Sequence, residues 1–173
     1  TIFDHLIIGS GPAGLACALR LSKNKNKKIL IVEAGGFENH PKKISQNNYI
    51  GETTGDPYPK LDKYRARMFG GTLYWYSHTL RFFEKTDKFI SDGDESKFRE
   101  ELDSYMSDAL DHLGAKNFAK DKEVKDTNFK FFKYQYSDSK EYTVKKLKEK
   151  ILNSENIFLF LNQNLTKIQC SGD

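Results

Sequence analysis

"LIIGSGPAGL", Leu6 to Leu15, is an apolar run that breaks into three glycines and then resumes with small and apolar residues. The glycines stand at Gly9, Gly11 and Gly14, the spacing G-x-G-x-x-G. On one side lies "FDHLII" (Phe3 to Ile8), short, apolar and β-branched at its end, which reads as a strand. On the other, Ala13 to Leu21 carries enough apolar positions for a buried helix, and "KILIVE" (Lys28 to Glu33) reads as a second strand. The order is β-α-β. Both strand runs are continuous rather than alternating, the pattern of strands covered on two faces, so the sheet is expected to be parallel and interior.

Each part of the loop has a mechanical reason. Gly9 allows the tight turn, Gly11 lets the backbone approach a diphosphate, and Gly14 lets helix and strand pack closely. The amides and positive end of the helix then attract the anion, with Ser10, Pro12 and Ala13 completing the loop. Glu33 ends the second strand 19 positions beyond Gly14, where a carboxylate accepts hydrogen bonds from a ribose 2′-hydroxyl. A lone glycine pattern says little. Strand, helix, second strand and acid together, at this spacing, predict a dinucleotide site. Cys17, inside the helix, reads as a small core residue rather than a redox thiol.

The chain has 173 residues, about one domain, and a chain of that length buries on the order of 70% of the surface exposed by its unfolded form. Lys and Arg number 28 against 24 Asp and Glu, a net charge of +4. The densest basic cluster, "KNKNKKI" (Lys23 to Ile29), sits where the helix turns back into a strand. It lacks the interleaved aromatics of a nucleic-acid surface and reads as a solvated loop. Cys17 and Cys170 are far apart, without a C-x-x-C or C-x-x-H partner, so neither a disulfide framework nor a metal site is expected, and a reducing cytoplasm fits. No apolar stretch approaches the roughly 20 residues of a membrane span.

Beyond the βαβ unit (residues 1–36), residues 37–93 are irregular, and the two prolines of "GDPYPK" (Gly55 to Lys60) forbid a central strand. A loop of that length usually covers something functional. A helical segment spans 94–152. In it Phe98, Leu102, Tyr105, Met106, Ala109, Leu110 and Leu113 form one stripe, with Gly114 as a left-handed cap. Asp138 and Glu141 form a capping-box pattern before a helix with Val144, Leu147 and Ile151 inward. Within residues 156–170, "NIFLFL" (Asn156 to Leu161) and "LTKIQC" (Leu165 to Cys170) read as returning strands. The chain then ends at "CSGD", residues that suit a turn into another strand, so it reads as a fragment of a longer protein.

Spacing alone does not separate FAD from NAD. "EAGG" (Glu33 to Gly36) and "YRARMFGGTLYWYSHTLRF" (Tyr64 to Phe82), together with GSGPAG, resemble the FAD-binding half of the glucose-methanol-choline oxidoreductases, particularly their pyranose-oxidase-like and sugar-dehydrogenase-like branches. The resemblance implies an α/β fold: a Rossmann-like FAD-binding βαβ unit with a parallel sheet, a long flavin-covering loop and added helices. It implies that Glu33, Ala34 and Gly35 lie at the nucleotide. It also implies that the R-x-x-G-G-T segment, here Arg67, Gly70, Gly71 and Thr72, brings a second glycine pair against the diphosphate and flavin. "NIFLFLNQNLTKIQCSGD" resembles the family's return to the nucleotide domain, which implies that the Leu165 backbone meets adenine.

The departures carry information too. The family's glycine-pair motif usually continues with a small hydroxyl residue and then Asn or His, where this chain has Leu73, Trp75 and Tyr76. In the branch that tethers FAD covalently a histidine lies where Trp75 stands, so the cofactor is expected to be held non-covalently. By resemblance the substrate is a small alcohol or sugar, whose hydride passes to flavin and whose proton passes to a histidine in the carboxy-terminal half of the family. None of His5, His40, His78 and His112 matches that position, and His78 reads as a packing residue of an aromatic loop. The catalytic residue, the identity of the substrate and the electron acceptor stay open. An NAD-dependent dehydrogenase built on the same βαβ unit, and a non-enzymatic nucleotide-binding module, are the alternative readings.

Overall fold

The computed structural model describes residues 1–37, 52–57, 61–74, 79–80, 95–115, 122–123, 130–131, 135–136 and 140–170. The opening follows the glycine pattern. Strand β1 (His5–Ile8) leads through the loop into helix α1 (Pro12–Leu21), and β2 (Ile29–Val32) returns. Pro12 at the head of α1 pre-sets the helical φ without removing a needed hydrogen bond. Thereafter come a single helical turn α2 (Leu61–Tyr64), a 3₁₀ turn (Gly71–Tyr74) and a short β3 (Thr79–Leu80). Helices α3 (Glu95–Ser104) and α4 (Met106–Leu113) follow, then the two-residue strands β4 (Lys122–Glu123), β5 (Lys130–Phe131) and β6 (Gln135–Tyr136). Helix α5 (Lys140–Leu152) and strand β7 (Ile157–Phe160) come last.

The chain forms two compact units, Thr1–Tyr76 with Val144–Asp173, and Ser77–Thr143. In the first, three strands make a parallel sheet in the order β1-β2-β7. His5, Ile29 and Ile157 are in register, as are Ile7, Ile31 and Leu159, so these six share one face. Helix α1 lies on that face, because a Cβ placed on Gly14 would come 3.3 Å from the Ile7 side chain. Leu15, Ala18, Ile29 and Ile31 are buried there, each large side chain contributing about 1.5–3 kcal/mol. The α5 stripe of Val144, Leu147 and Ile151 is buried as its periodicity predicts.

The opposite face departs from expectation. Leu6 and Ile8 are 49% and 54% exposed, and Phe158 and Phe160 are 36% and 51% exposed. β1 and β7 each pair with β2 alone among the described residues, so a continuous apolar run here marks outer strands with one covered face. The α1–β2 and α5–β7 connections are joined by a side chain: the buried Asn156 amide donates to the carbonyls of Ser22 (3.3 Å), Asn24 (3.1 Å) and Lys27 (2.8 Å), tying the α1–β2 turn to the foot of β7. The basic cluster at that turn is exposed, as expected, and Lys27 pairs with Asp4 at 2.8 Å.

In the second unit β3 pairs antiparallel with β6, and β4 with β5. Gly114 caps α4 at φ 68°. The expected single stripe is instead divided between α3 and α4, because Tyr105 donates its N–H three residues back to Leu102 rather than four, which tightens and ends α3. Phe98, Leu102, Met106, Leu110 and Leu113 remain half-buried, but Tyr105 and Ala109 turn to solvent. Two further expectations are corrected. Cys17 is exposed on the outer side of α1, not in the core. The segment 165–170 is not a strand: among the described residues it has no ladder partner, and its apolar positions Leu165 and Ile168 are exposed. Asp138, the first residue of the expected capping box, lies outside the described residues.

Candidate functional site

Four segments converge at the carboxyl ends of the three parallel strands. Gly9 turns at φ 90°, its N–H donating to the Val32 carbonyl at 2.8 Å, so the glycine loop is seated on β2. A Cβ on Gly14 would overlap the Gly9 carbonyl oxygen, so the third glycine serves close packing. At Gly11 the same construction meets nothing within 4 Å. That is open space above a bare backbone.

Gly11 is the N-cap of α1, with no side-chain cap and no acidic residue in the first turn. The amide end of a ten-residue helix, worth roughly half a positive charge, is therefore unopposed by any carboxylate of its own first turn. Glu33 closes the second segment. Buried, it accepts hydrogen bonds from the Ser10 N–H (2.8 Å), the Ser10 hydroxyl (2.7 Å) and the Gly35 N–H (2.8 Å).

The third segment carries the second glycine pair. Gly70 and Gly71 adopt φ 84° and 53°, which side chains rarely tolerate. Gly70 donates to the Ser10 carbonyl at 3.0 Å, and a Cβ on Gly71 would stand 3.3 Å from Gly11 Cα, so the two glycine loops lie backbone to backbone. Phe69 donates to the Gly36 carbonyl at 3.0 Å, and a Cβ on Gly35 would overlap the Arg67 carbonyl. Phe69 is itself buried, its ring 5.2 Å from that of Phe37. Thr72 is half-buried in the 3₁₀ turn that follows.

The fourth segment follows β7. Asn162 donates to the Gly35 carbonyl and Gln163 to the Glu33 carbonyl, both at 3.0 Å. Asn162 takes φ 57°, a left-handed conformation that asparagine tolerates, and its side chain abuts Gly36. The Arg67 guanidinium donates to the Asn164 side chain, so this arginine binds the fourth segment.

The glycines, Glu33, Gly35 and the second glycine pair named from the sequence are thus brought together; Ala34 is half-buried between two of them. Leu165 begins just beyond the fourth segment and is 41% exposed. Trp75, Tyr76 and His78 lie outside the described residues, as does His40. Asn162 and Asn164 were missed by sequence reasoning, and the available signal is the run of three polar residues, Asn162 to Asn164, just after an apolar stretch. Among the described residues no group of three His, Cys, Asp or Glu side chains is placed to hold a metal ion. Nor does any described helix have the length and apolarity to cross a membrane.

This arrangement suits a dinucleotide whose diphosphate lies over Gly11 and whose ribose meets Glu33. The pyridine nucleotide-disulphide oxidoreductase family matches residues 3–147. The chain belongs to that family. Its curated relatives are of the glucose-methanol-choline type. Glucose oxidase 2 of Penicillium expansum is 39% identical over 56 residues, covering 32% of this chain and 9% of that protein. The oxygen-dependent choline dehydrogenase of Klebsiella pneumoniae is 30% identical over 86 residues, covering 40% of this chain and 16% of its own length. Among solved structures, a formate oxidase of Aspergillus oryzae matches at 28% identity with a TM-score of 0.34, over 44% of this chain and 16% of that one. The chain thus spans a small part of the relatives it matches. FAD is the cofactor that this family and its motifs point to, and the relatives the chain resembles are of glucose-methanol-choline type.

Proposed function

We propose that this chain provides the FAD-holding part of an oxidoreductase acting on a CH–OH group of a small alcohol or sugar. The observation that carries the reading is the open space at Gly11, bounded by the second glycine pair and by Glu33. FAD, when bound, supplies the hydride acceptor of the reaction.

The chain's own residues bind and orient. Gly9 to Gly14, with the uncapped end of α1, hold the diphosphate through backbone amides. Glu33 accepts from the adenosine ribose. Gly70 and Gly71, with Arg67 and Thr72 beside them, shape the wall on the flavin side, and the stretch from Asn162 to Leu165 lies toward the adenine. Gly71 does so without a side chain, since even one carbon there would press on Gly11. The cofactor is held non-covalently, and the protein works in the cytoplasm.

Calorimetric titration with FAD and with NAD, read beside the visible absorption spectrum, tests this. FAD is expected to bind and NAD not to; binding of NAD alone, or of neither, would reject the reading. Acid-denatured protein is expected to release all of its flavin on washing, and retained yellow colour would reject the non-covalent attachment. Turnover of a panel of primary alcohols and aldoses by the intact protein, followed by bleaching of bound flavin, checks the substrate class.

A further inference from the structure

The Glu33 carboxylate is already largely committed before any nucleotide arrives. It is 6% exposed, and Ser10, which it meets, is fully buried. Two of its three hydrogen bonds come from this one residue and go to the same oxygen: the Ser10 N–H reaches Oε2 at 2.8 Å and the Ser10 hydroxyl reaches Oε2 at 2.7 Å. Gly35 N–H takes Oε1 at 2.8 Å. A carboxylate offers about four lone-pair sites, two on each oxygen. Among the described residues Oε2 is filled, and one site remains, on Oε1.

We propose that the Ser10 hydroxyl is a positioning residue that fixes Glu33 so that it contacts the adenosine ribose through a single hydrogen bond, from one hydroxyl to Oε1. The proposal rests on the assignment of the site to FAD. Two donors on one oxygen stop the carboxylate from turning about its terminal torsion, which is otherwise soft. They also remove the acceptor that a second ribose hydroxyl would need. Selectivity for one hydroxyl position then resides in a serine of the loop as much as in the acid at the end of β2. The Ser10 main chain has separate duties, since its carbonyl accepts from Gly70 at 3.0 Å, and a side-chain substitution leaves those bonds in place.

The test compares ADP, which carries the adenosine half of FAD, with 2′-deoxy-ADP and 3′-deoxy-ADP, by calorimetry on the intact protein. In the wild type one deoxy analogue is expected to bind about tenfold more weakly than ADP, as befits one charge-assisted hydrogen bond, and the other to bind like ADP. In Ser10→Ala the freed Oε2 accepts as well, and the preference between the two analogues is expected to collapse toward one. Ser10→Gly removes the same hydroxyl together with its Cβ, and it serves if the alanine variant does not fold.

Equal losses for both analogues in the wild type would overturn the proposal, because they show a two-point contact. So would a variant that loses affinity for all three nucleotides by one common factor, the mark of a merely structural serine. If the wild type binds FAD but shows no preference among the ADP analogues, only the positioning role falls. If it binds neither FAD nor ADP, the cofactor assignment falls first.

Discussion

The two glycine loops, residues 9–14 and residues 70–71, are in contact, yet a methyl group added to each meets different surroundings. At Gly14 it runs into the Gly9 carbonyl, and at Gly71 it presses on Gly11 Cα at 3.3 Å. At Gly11 it meets nothing within 4 Å. One glycine pattern therefore combines close packing of protein on protein at Gly14 with bare backbone facing open space at Gly11. The difference separates glycines where a side chain would collide with backbone from Gly11, where it would enter open space.

Substitutions can break that division. Gly14→Ala is expected to have the largest effect on stability, about 3 kcal/mol, the upper end of the usual cost of overpacking. A urea midpoint equal to the wild type's at unchanged slope would show that α1 and β1 do not pack as described. Gly71→Ala should cost about 1–2 kcal/mol for its left-handed backbone, and should weaken FAD in parallel because the added carbon pushes on Gly11. Gly11→Val reverses the pattern. Its backbone is extended at φ −64° and ψ 176°, so stability should stay within about 0.5 kcal/mol of wild type. FAD affinity, by contrast, should fall roughly tenfold or more as the side chain fills the open space; calorimetry on a variant shown to be folded checks both halves.

The smallest effect is expected far from the loops. At the foot of β1 the Lys27 ammonium, followed by the Lys28 N–H, holds the Asp4 carboxyl below its ordinary value of 3.8. A lowered value in the folded state means that Asp4 stabilises the fold above 3.8 and that this contribution fades as pH falls through the folded value. The stability difference between wild type and Asp4→Asn should thus be small and constant near neutrality and vanish in acid. A difference that grows in acid would reverse the sign.

Local chemistry made much of this readable. The turn at Gly9, the helix beginning at Pro12, the cap at Gly114 and the Val144, Leu147, Ile151 stripe each depend on residues within a few positions of one another. What was unreadable depends on distant partners. The alternation of Leu165 to Cys170 has the strand period, but a strand also needs a neighbour to receive its hydrogen bonds. Cys17 fits a helix core by composition, and only the direction in which α1 meets the sheet shows that it points outward. Nothing around Asn156 announces that its amide will serve three carbonyls more than a hundred residues earlier in the chain. The place of Glu33 at the end of β2 was legible by spacing, whereas its capture by Ser10 across 23 residues was not.

The Asn156 clamp also constrains the order in which the molecule forms. Joining it to Lys27 closes a loop of 129 residues, an entropy cost of about 4 kcal/mol on the logarithmic scaling, before any contact offsets it. The β1–α1–β2 unit has no such barrier and can assemble early, with β7 docking late. Since the segment after β7 supplies Asn162 and Gln163 to the Glu33 turn, the nucleotide cradle is completed only in the final step. FAD present during refolding should accordingly slow unfolding much more than it speeds folding.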